Sequence, residues 1–148
     1  GGIGNGEIVA MLRQVRRFLE LNAEGRFAMW HRGSDDQASK TLNRAGVRRM
    51  LNEDGQPNKS NLQLGNSFGD RMPATLGEGV SFEYFILSET FKAEVCQGFD
   101  PKTVARVLLD HGCLIPDKGR AFDCRPRLPG IGNTWCYRIP PEIFALDL

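Results

Sequence analysis

The chain has 148 residues and a mass of 16.5 kDa, which fits one domain burying roughly 70% of the surface its unfolded form exposes. Apolar residues at 41% and charged residues at 25% exclude fibrous, collagen-like and wholly disordered readings, and no apolar run reaches the ~18 residues a membrane-spanning helix requires. Nineteen basic and eighteen acidic residues give a net charge of +1, too small in itself to mark a nucleic-acid binder.

The first residue is Gly1, and Gly1-Gly2-Ile3-Gly4-Asn5-Gly6 reads as a flexible linker, so residues 1–6 are expected to join the domain to a longer polypeptide. The start lacks the basic-then-apolar layout of a signal peptide, and a cytoplasmic location is expected. The helix predicted over residues 7–24 places Ile8, Met11, Leu12, Val15, Phe18 and Leu19 at spacings of three and four, with Arg13, Arg16, Arg17 and Glu20 on other faces. Gly25 is its expected stop, and residues 27–30 suggest a short strand. Residues 43–50 read equally as helix or strand. Residues 52–79 hold five Gly and four Asn with Pro57 and Pro73, and their few apolar residues keep no period, which predicts a flexible insertion.

Alternation over residues 80–87 predicts a strand with one buried face. Ser88 is the expected cap of a helix that turns Phe91, Val95 and Cys96 inward and stops at Gly98. The next helix has stronger start signals: Asp100 as N-cap, Pro101 at the first helical position and Phe99 positioned to staple onto Val104. It is expected to bury Val104, Ala105, Val107 and Leu108 and to end at Gly112. Residues 113–115 then suggest a strand, Pro116-Asp117-Lys118-Gly119 a turn, and residues 120–128 a return strand. A second turn, Pro129-Gly130-Ile131-Gly132-Asn133, leads to a strand over 134–139. Ile143, Phe144 and Leu146 are expected to tuck the end of the chain onto the core.

Strand, helix, four-residue turn, helix and basic hairpin is the order of a winged helix-turn-helix. The expected fold class is therefore α+β: a winged helix-turn-helix spanning 7–148, with an extra N-terminal amphipathic helix and the 52–79 insertion. In that fold the second helix of the pair commonly enters the major groove and the wing follows the backbone. Lys102, Thr103, Arg106 and Asp110 form the outward stripe of that helix, and residues 113–139 carry Lys118, Arg120, Arg125, Arg127 and Arg138 against Asp117 and Asp123. Lys102, Thr103, Arg106, Lys118, Arg120, Arg125 and Arg127 are the candidate nucleic-acid-binding residues. The same pattern suits a winged domain with a solvated helix that binds protein.

Chemistry of other kinds finds little support. Cys96, Cys113, Cys124 and Cys136 are separated by 16, 10 and 11 residues, with no C-x-x-C pair, so buried thiols are expected and neither a metal nor a cofactor is. His31 and His111 stand apart from any nucleophile motif. Residues 129–134 suggest the end of a phosphate-binding P-loop, but the first glycine of that motif falls on Arg127 and its lysine on Asn133. Catalysis by this chain alone is not expected.

Four segments, Leu12-Arg13-Gln14-Val15-Arg16-Arg17-Phe18-Leu19-Glu20 with Gly25-Arg26-Phe27, Asn43-Arg44-Ala45-Gly46, Glu94-Val95-Cys96-Gln97-Gly98-Phe99-Asp100-Pro101, and Arg127-Leu128-Pro129-Gly130-Ile131-Gly132-Asn133-Thr134, resemble one protein tail. It is the C-terminal domain of the DNA helicase and primase-helicase proteins of bacterial prophages and integrative elements, whose ATPase part is classed as a domain of unknown function. The resemblance covers roughly two thirds of the chain. It implies a module that follows the ATPase and places the enzyme on duplex or forked DNA, with DNA and the rest of the parent helicase polypeptide as partners. Residues 52–79 are longer than that pattern, and Asn133 stands where Lys or Arg is expected, which removes one phosphate contact. A module docking onto the ATPase or onto a host replication protein, or a relaxase-associated tail of a conjugative element, would have a similar shape.

Overall fold

The computed structural model of the chain describes residues 4–30, 43–57, 73–75 and 80–148. In chain order the elements are α1 (Asn5–Arg26), β1 (Phe27–Met29), β2 (Gly46–Leu51), β3 (Ser81–Leu87), a helical stretch α2 made of an α-turn (Ser88–Thr90) and a π-helix (Phe91–Val95), then α3 (Pro101–Asp110), β4 (Arg127–Leu128), β5 (Gly132–Asn133), β6 (Cys136–Ile139) and a closing 3-10 turn (Pro141–Phe144). The class is α+β, as expected. His31 and most of the 52–79 insertion lie outside the described residues.

Helix α1 buries Met11, Leu12, Val15, Leu19 and Ala23, the stripe its spacing predicts. It starts at Asn5 and so takes in the last two residues of the expected linker. It also runs through Gly25 to Arg26, whose side chain is held firmly: Nε donates to the Asn43 carbonyl at 2.7 Å, and the guanidinium pairs with both oxygens of Glu94 at 2.7 and 2.8 Å. The Arg26 carbonyl accepts from the Ala45 N–H at 2.8 Å, and the chain then leaves the helix directly into β1. Arg16, a candidate solvent-facing residue, donates to the Leu146 carbonyl at 3.0 Å and ties down the C-terminal segment.

The four-stranded sheet has the order β1-β2-β3-β6, with β1 and β2 parallel and the other pairs antiparallel. Residues 46–51 are strand, not helix. Gly46 permits this, because it sits opposite Ile86 where a Cβ would stand only 1.8 Å from the Phe85 carbonyl oxygen. Strand β3 lies in the middle of the sheet and is buried on both faces, whereas alternation predicted one. One face carries Phe82, Tyr84 and Ile86 into the main core with α1, α2 and α3; the other carries Phe85 into a smaller cluster with Val47, Cys124, Leu128 and Cys136. Glu83 shares that second face, 2% exposed. Arg49 donates to its Oε1 from Nε at 2.9 Å, and Arg138 donates to its Oε2 from Nη2 at 2.9 Å. The expected tucking of Ile143, Phe144 and Leu146 holds: Ile143 is buried, and the other two pack partly buried against the main core.

Within the insertion, residues 52–57 turn back so that Pro57 bridges to Leu51, with Gly55 at φ +80°. Ala74 is buried, and residues 73–74 offer their carbonyls to Arg48 (2.7 Å) and to the Tyr84 hydroxyl. These two described pieces are thus attached to the core.

Helix α2 departs from expectation at both ends. Ser88 is the first helical residue and Leu87, with no side-chain capping bond, stands at the cap, and the last turn widens so that the Cys96 N–H reaches the Phe91 carbonyl, five residues back, at 2.9 Å. The side-chain amide of Gln14 closes this end by donating to the carbonyls of Val95 and Gln97 at 2.7 and 2.9 Å. Inward-facing Phe91 lies stacked on Tyr137, centroids 3.9 Å apart. Helix α3 follows its local signals: the Asp100 carboxylate accepts from the Thr103 N–H at 3.0 Å, Pro101 opens the helix, and Val104, Ala105, Val107 and Leu108 are buried.

Candidate nucleic-acid interface

Residues 113–115 are expected to be a strand and residues 120–128 its return strand, with a second turn at 129–133 leading to a strand over 134–139. Among residues 113–123 no strand forms. The Ile115 N–H reaches the Arg138 carbonyl at 3.0 Å, but Pro116 has no N–H and Asp117 bonds across to the Asp123 carbonyl at 3.0 Å, so the ladder stops after one bond. The turn itself is present, with the Arg120 N–H on the Asp117 carbonyl at 3.0 Å and Gly119 at φ +85°.

The hairpin lies further along. Cys124 pairs with Cys136 through two backbone bonds of 2.9 Å, Arg127 with Asn133, and Leu128 with Gly132, all in one register. Residues 129–131 are its turn, closed by the Ile131 N–H on the Leu128 carbonyl at 3.1 Å with Gly130 at φ +78°. The P-loop-like residues are therefore a strand-to-strand turn. The shared register sets Arg125 directly opposite Trp135, with exposed Arg127 and Asn133 next along the same face, while Cys124 and Leu128 point into the smaller cluster.

The loop of residues 116–123 folds over this hairpin. The Asp117 carboxylate accepts from the Arg125 N–H at 2.8 Å. Arg120 lies with its guanidinium 4.4 Å from the centre of the Trp135 ring, and Arg125 approaches the same ring at 5.7 Å. From α3, Arg106 reaches over the Phe122 ring at 5.5 Å. Helix and loop thus meet at Arg106–Phe122, and loop and hairpin at Arg120–Trp135–Arg125. Trp135 is 40% exposed.

The other candidates divide. Lys102 and Lys118 are exposed, as are Arg106, Arg120, Arg125 and Arg127. Arg120 is also paired with Asp123, Nε to Oδ1 at 2.8 Å, and this hydrogen-bonded partner raises its pKa further. Thr103 gives its hydroxyl proton to Asp100 at 2.9 Å and so serves the helix cap. Arg127 borders a shallow groove of about 510 Å³ shared with Trp30 and the hairpin turn. Trp135 lies in the strand expected over 134–139, and its place opposite Arg125 across a Pro-Gly turn is the local signal the sequence carries for it.

All four cysteines are buried thiols. Burial pushes Cys96 up to about 12 and Cys113 to about 11, while its hydrogen bond with Cys124, together with burial, raises Cys136. His111 keeps its ring on its own helix, Nδ1 donating to the Val107 carbonyl at 2.9 Å. Among the described residues no group of three or more His, Cys, Asp or Glu could hold a metal ion, and no described helix is long and apolar enough to cross a membrane. Compared with family models, curated proteins and solved structures, the chain matches none.

Proposed function

We propose that the chain is a non-catalytic DNA-binding module, of winged helix-turn-helix type, that positions a mobile-element replicative helicase or primase on DNA. The observation that carries this reading is the pairing of exposed guanidinium groups with rings on the loop and hairpin, Arg106 with Phe122 and Arg120 and Arg125 with Trp135. Basic side chains clustered on one face are the electrostatic footprint of a phosphate-binding surface. The winged arrangement is supported by β3 pairing with β6 and by the 124–136 hairpin continuing from β6, with α2 and α3 between. Strands β1 and β2 then extend the sheet from the opposite side of β3.

Lys102, Arg106, Lys118, Arg120, Arg125 and Arg127 are the proposed phosphate contacts. Binding is weak and largely sequence-blind, since Asp110, Asp117 and Asp123 dilute the field and α3 has no Asn or Gln to read adenine. The test is a salt titration of binding to duplex, forked and single-stranded DNA. With about four of the six neutralising phosphates, log affinity falls with log salt at a slope near −3.6 on duplex, with affinity at about the micromolar level. A second reading, a module docking onto the parent ATPase or a host replication protein, is favoured by Leu21. This residue is 70% exposed beside a groove lined by Gln14, Phe18 and Glu94. That reading predicts no salt-dependent DNA binding, even at about 50 mM salt.

A further inference from the structure

We infer that Trp135 is a stacking platform for an unpaired base, which makes single-stranded DNA, or the unpaired part of a fork, the preferred ligand; this rests on the DNA-binding reading above. Trp135 is the one aromatic among the large hydrophobic side chains left exposed in the described residues, the others being Leu21, Leu109 and Ile115. Its neighbours make the exposure purposeful. Arg125 stands directly across the hairpin and Arg120 lies over the ring from the folded loop, so the indole is framed by two cations with Arg127 and Asn133 continuing the same face.

An indole framed in this way can hold a nucleotide at two points. The ring is 40% exposed with Arg120 lying over it, so a base takes the π-face by displacing that guanidinium, which then meets an adjoining phosphate. The bases of a duplex are already stacked on one another and present only their edges in the grooves, so reaching Trp135 from a duplex would require unstacking at a cost of a few kcal/mol. Single strands carry no such cost. Asn133 and the arginines supply hydrogen bonds and charge without a fixed donor pattern, so the strand preference comes without a base preference.

The experiment compares three labelled ligands by fluorescence anisotropy at about 50 mM salt: oligothymidylate, an abasic strand of equal length, and the corresponding duplex. The abasic strand keeps the phosphates and removes the bases. The expected result is binding to oligothymidylate about tenfold tighter than to the abasic strand, the size of one stacked base. Trp135→Ala should abolish that preference with the salt slope unchanged, and Trp135→Phe should keep a part of it. The wild-type comparison needs no variant, so a misfolded alanine variant leaves the test intact. Equal wild-type affinity for thymidylate and abasic strands, or an alanine variant that keeps the preference, overturns the stacking role and leaves DNA binding standing. Failure to bind any of the three ligands overturns both.

Discussion

Two buried polar side chains on β3 show how single residues stabilise this fold. Glu83 is held in the sheet by guanidiniums from the strands on either side, Arg49 on β2 and Arg138 on β6. Arg49 is further stacked 4.4 Å from the Trp30 ring. Removing the negative charge leaves two half-buried cations without it. Glu83→Gln is therefore expected to cost about 3 kcal/mol in denaturant unfolding, the lower end for a buried ion pair because both arginines still reach water. Tyr84, on the opposite face, donates its hydroxyl to the Ala74 carbonyl, and burial pushes its pKa up to about 12. Because the folded state favours the neutral phenol, its contribution is complete below the ordinary tyrosine value near 10 and is lost as pH rises from there through about 12. Tyr84→Phe should cost about 1 kcal/mol at neutral pH through the lost hydrogen bond. The variant's unfolding free energy should then decline less than the wild type's between those pH values. An equal decline would place the alkaline sensitivity elsewhere.

At the scale of elements, α3 is the part that local chemistry determines most completely. Its cap, its opening proline and its buried stripe all lie within about ten residues of sequence. Asp100→Ala removes the carboxylate that accepts from Thr103 and should lower stability by about 1 kcal/mol by thermal or denaturant unfolding, with the sheet unaffected. For the same reason α1 and α3 were legible in the sequence, apart from the first and last turns of α1. What was not legible depended on distant partners. Residues 43–50 had no preference of their own, and their strand follows from Gly46 meeting the Phe85 backbone, 39 positions later in the sequence. The burial of Glu83 needs Arg49 and Arg138, 34 and 55 residues away, so alternation alone placed it toward solvent. The turn at 129–133 is legible and closes the hairpin, whereas the strand expected over 113–115 does not form: Pro116-Asp117-Lys118-Gly119 is a true turn, but a proline and a cross-loop bond stop the ladder there, and pairing begins only at Cys124 and Cys136. Six of the seven candidate residues are exposed side chains, and Thr103 serves the helix cap. Trp135, which Arg120 and Arg125 approach, is only partly legible, because its contact with Arg120 depends on the loop that folds over the hairpin.

For the molecule as a whole, the sheet divides the chain into two chemistries. One face is a core of helices and aromatic rings; the other is a thin cluster roofed by the hairpin, whose outer side gathers the cations. The proposed binding therefore rests on the outer side of the hairpin, above the buried cluster, and residues facing outward there can be changed without unfolding the domain. The central claim, that the outer side of the hairpin is the DNA-facing surface, is tested most directly by neutralising Arg125 and Arg127 together. The measurement is the dependence of duplex affinity on salt for the wild type and for Arg125→Gln/Arg127→Gln, with thermal unfolding as a control. The expected result is a slope flatter by about two units, roughly 0.9 for each lost phosphate contact, at an unchanged unfolding temperature. An identical slope in the two proteins would contradict it.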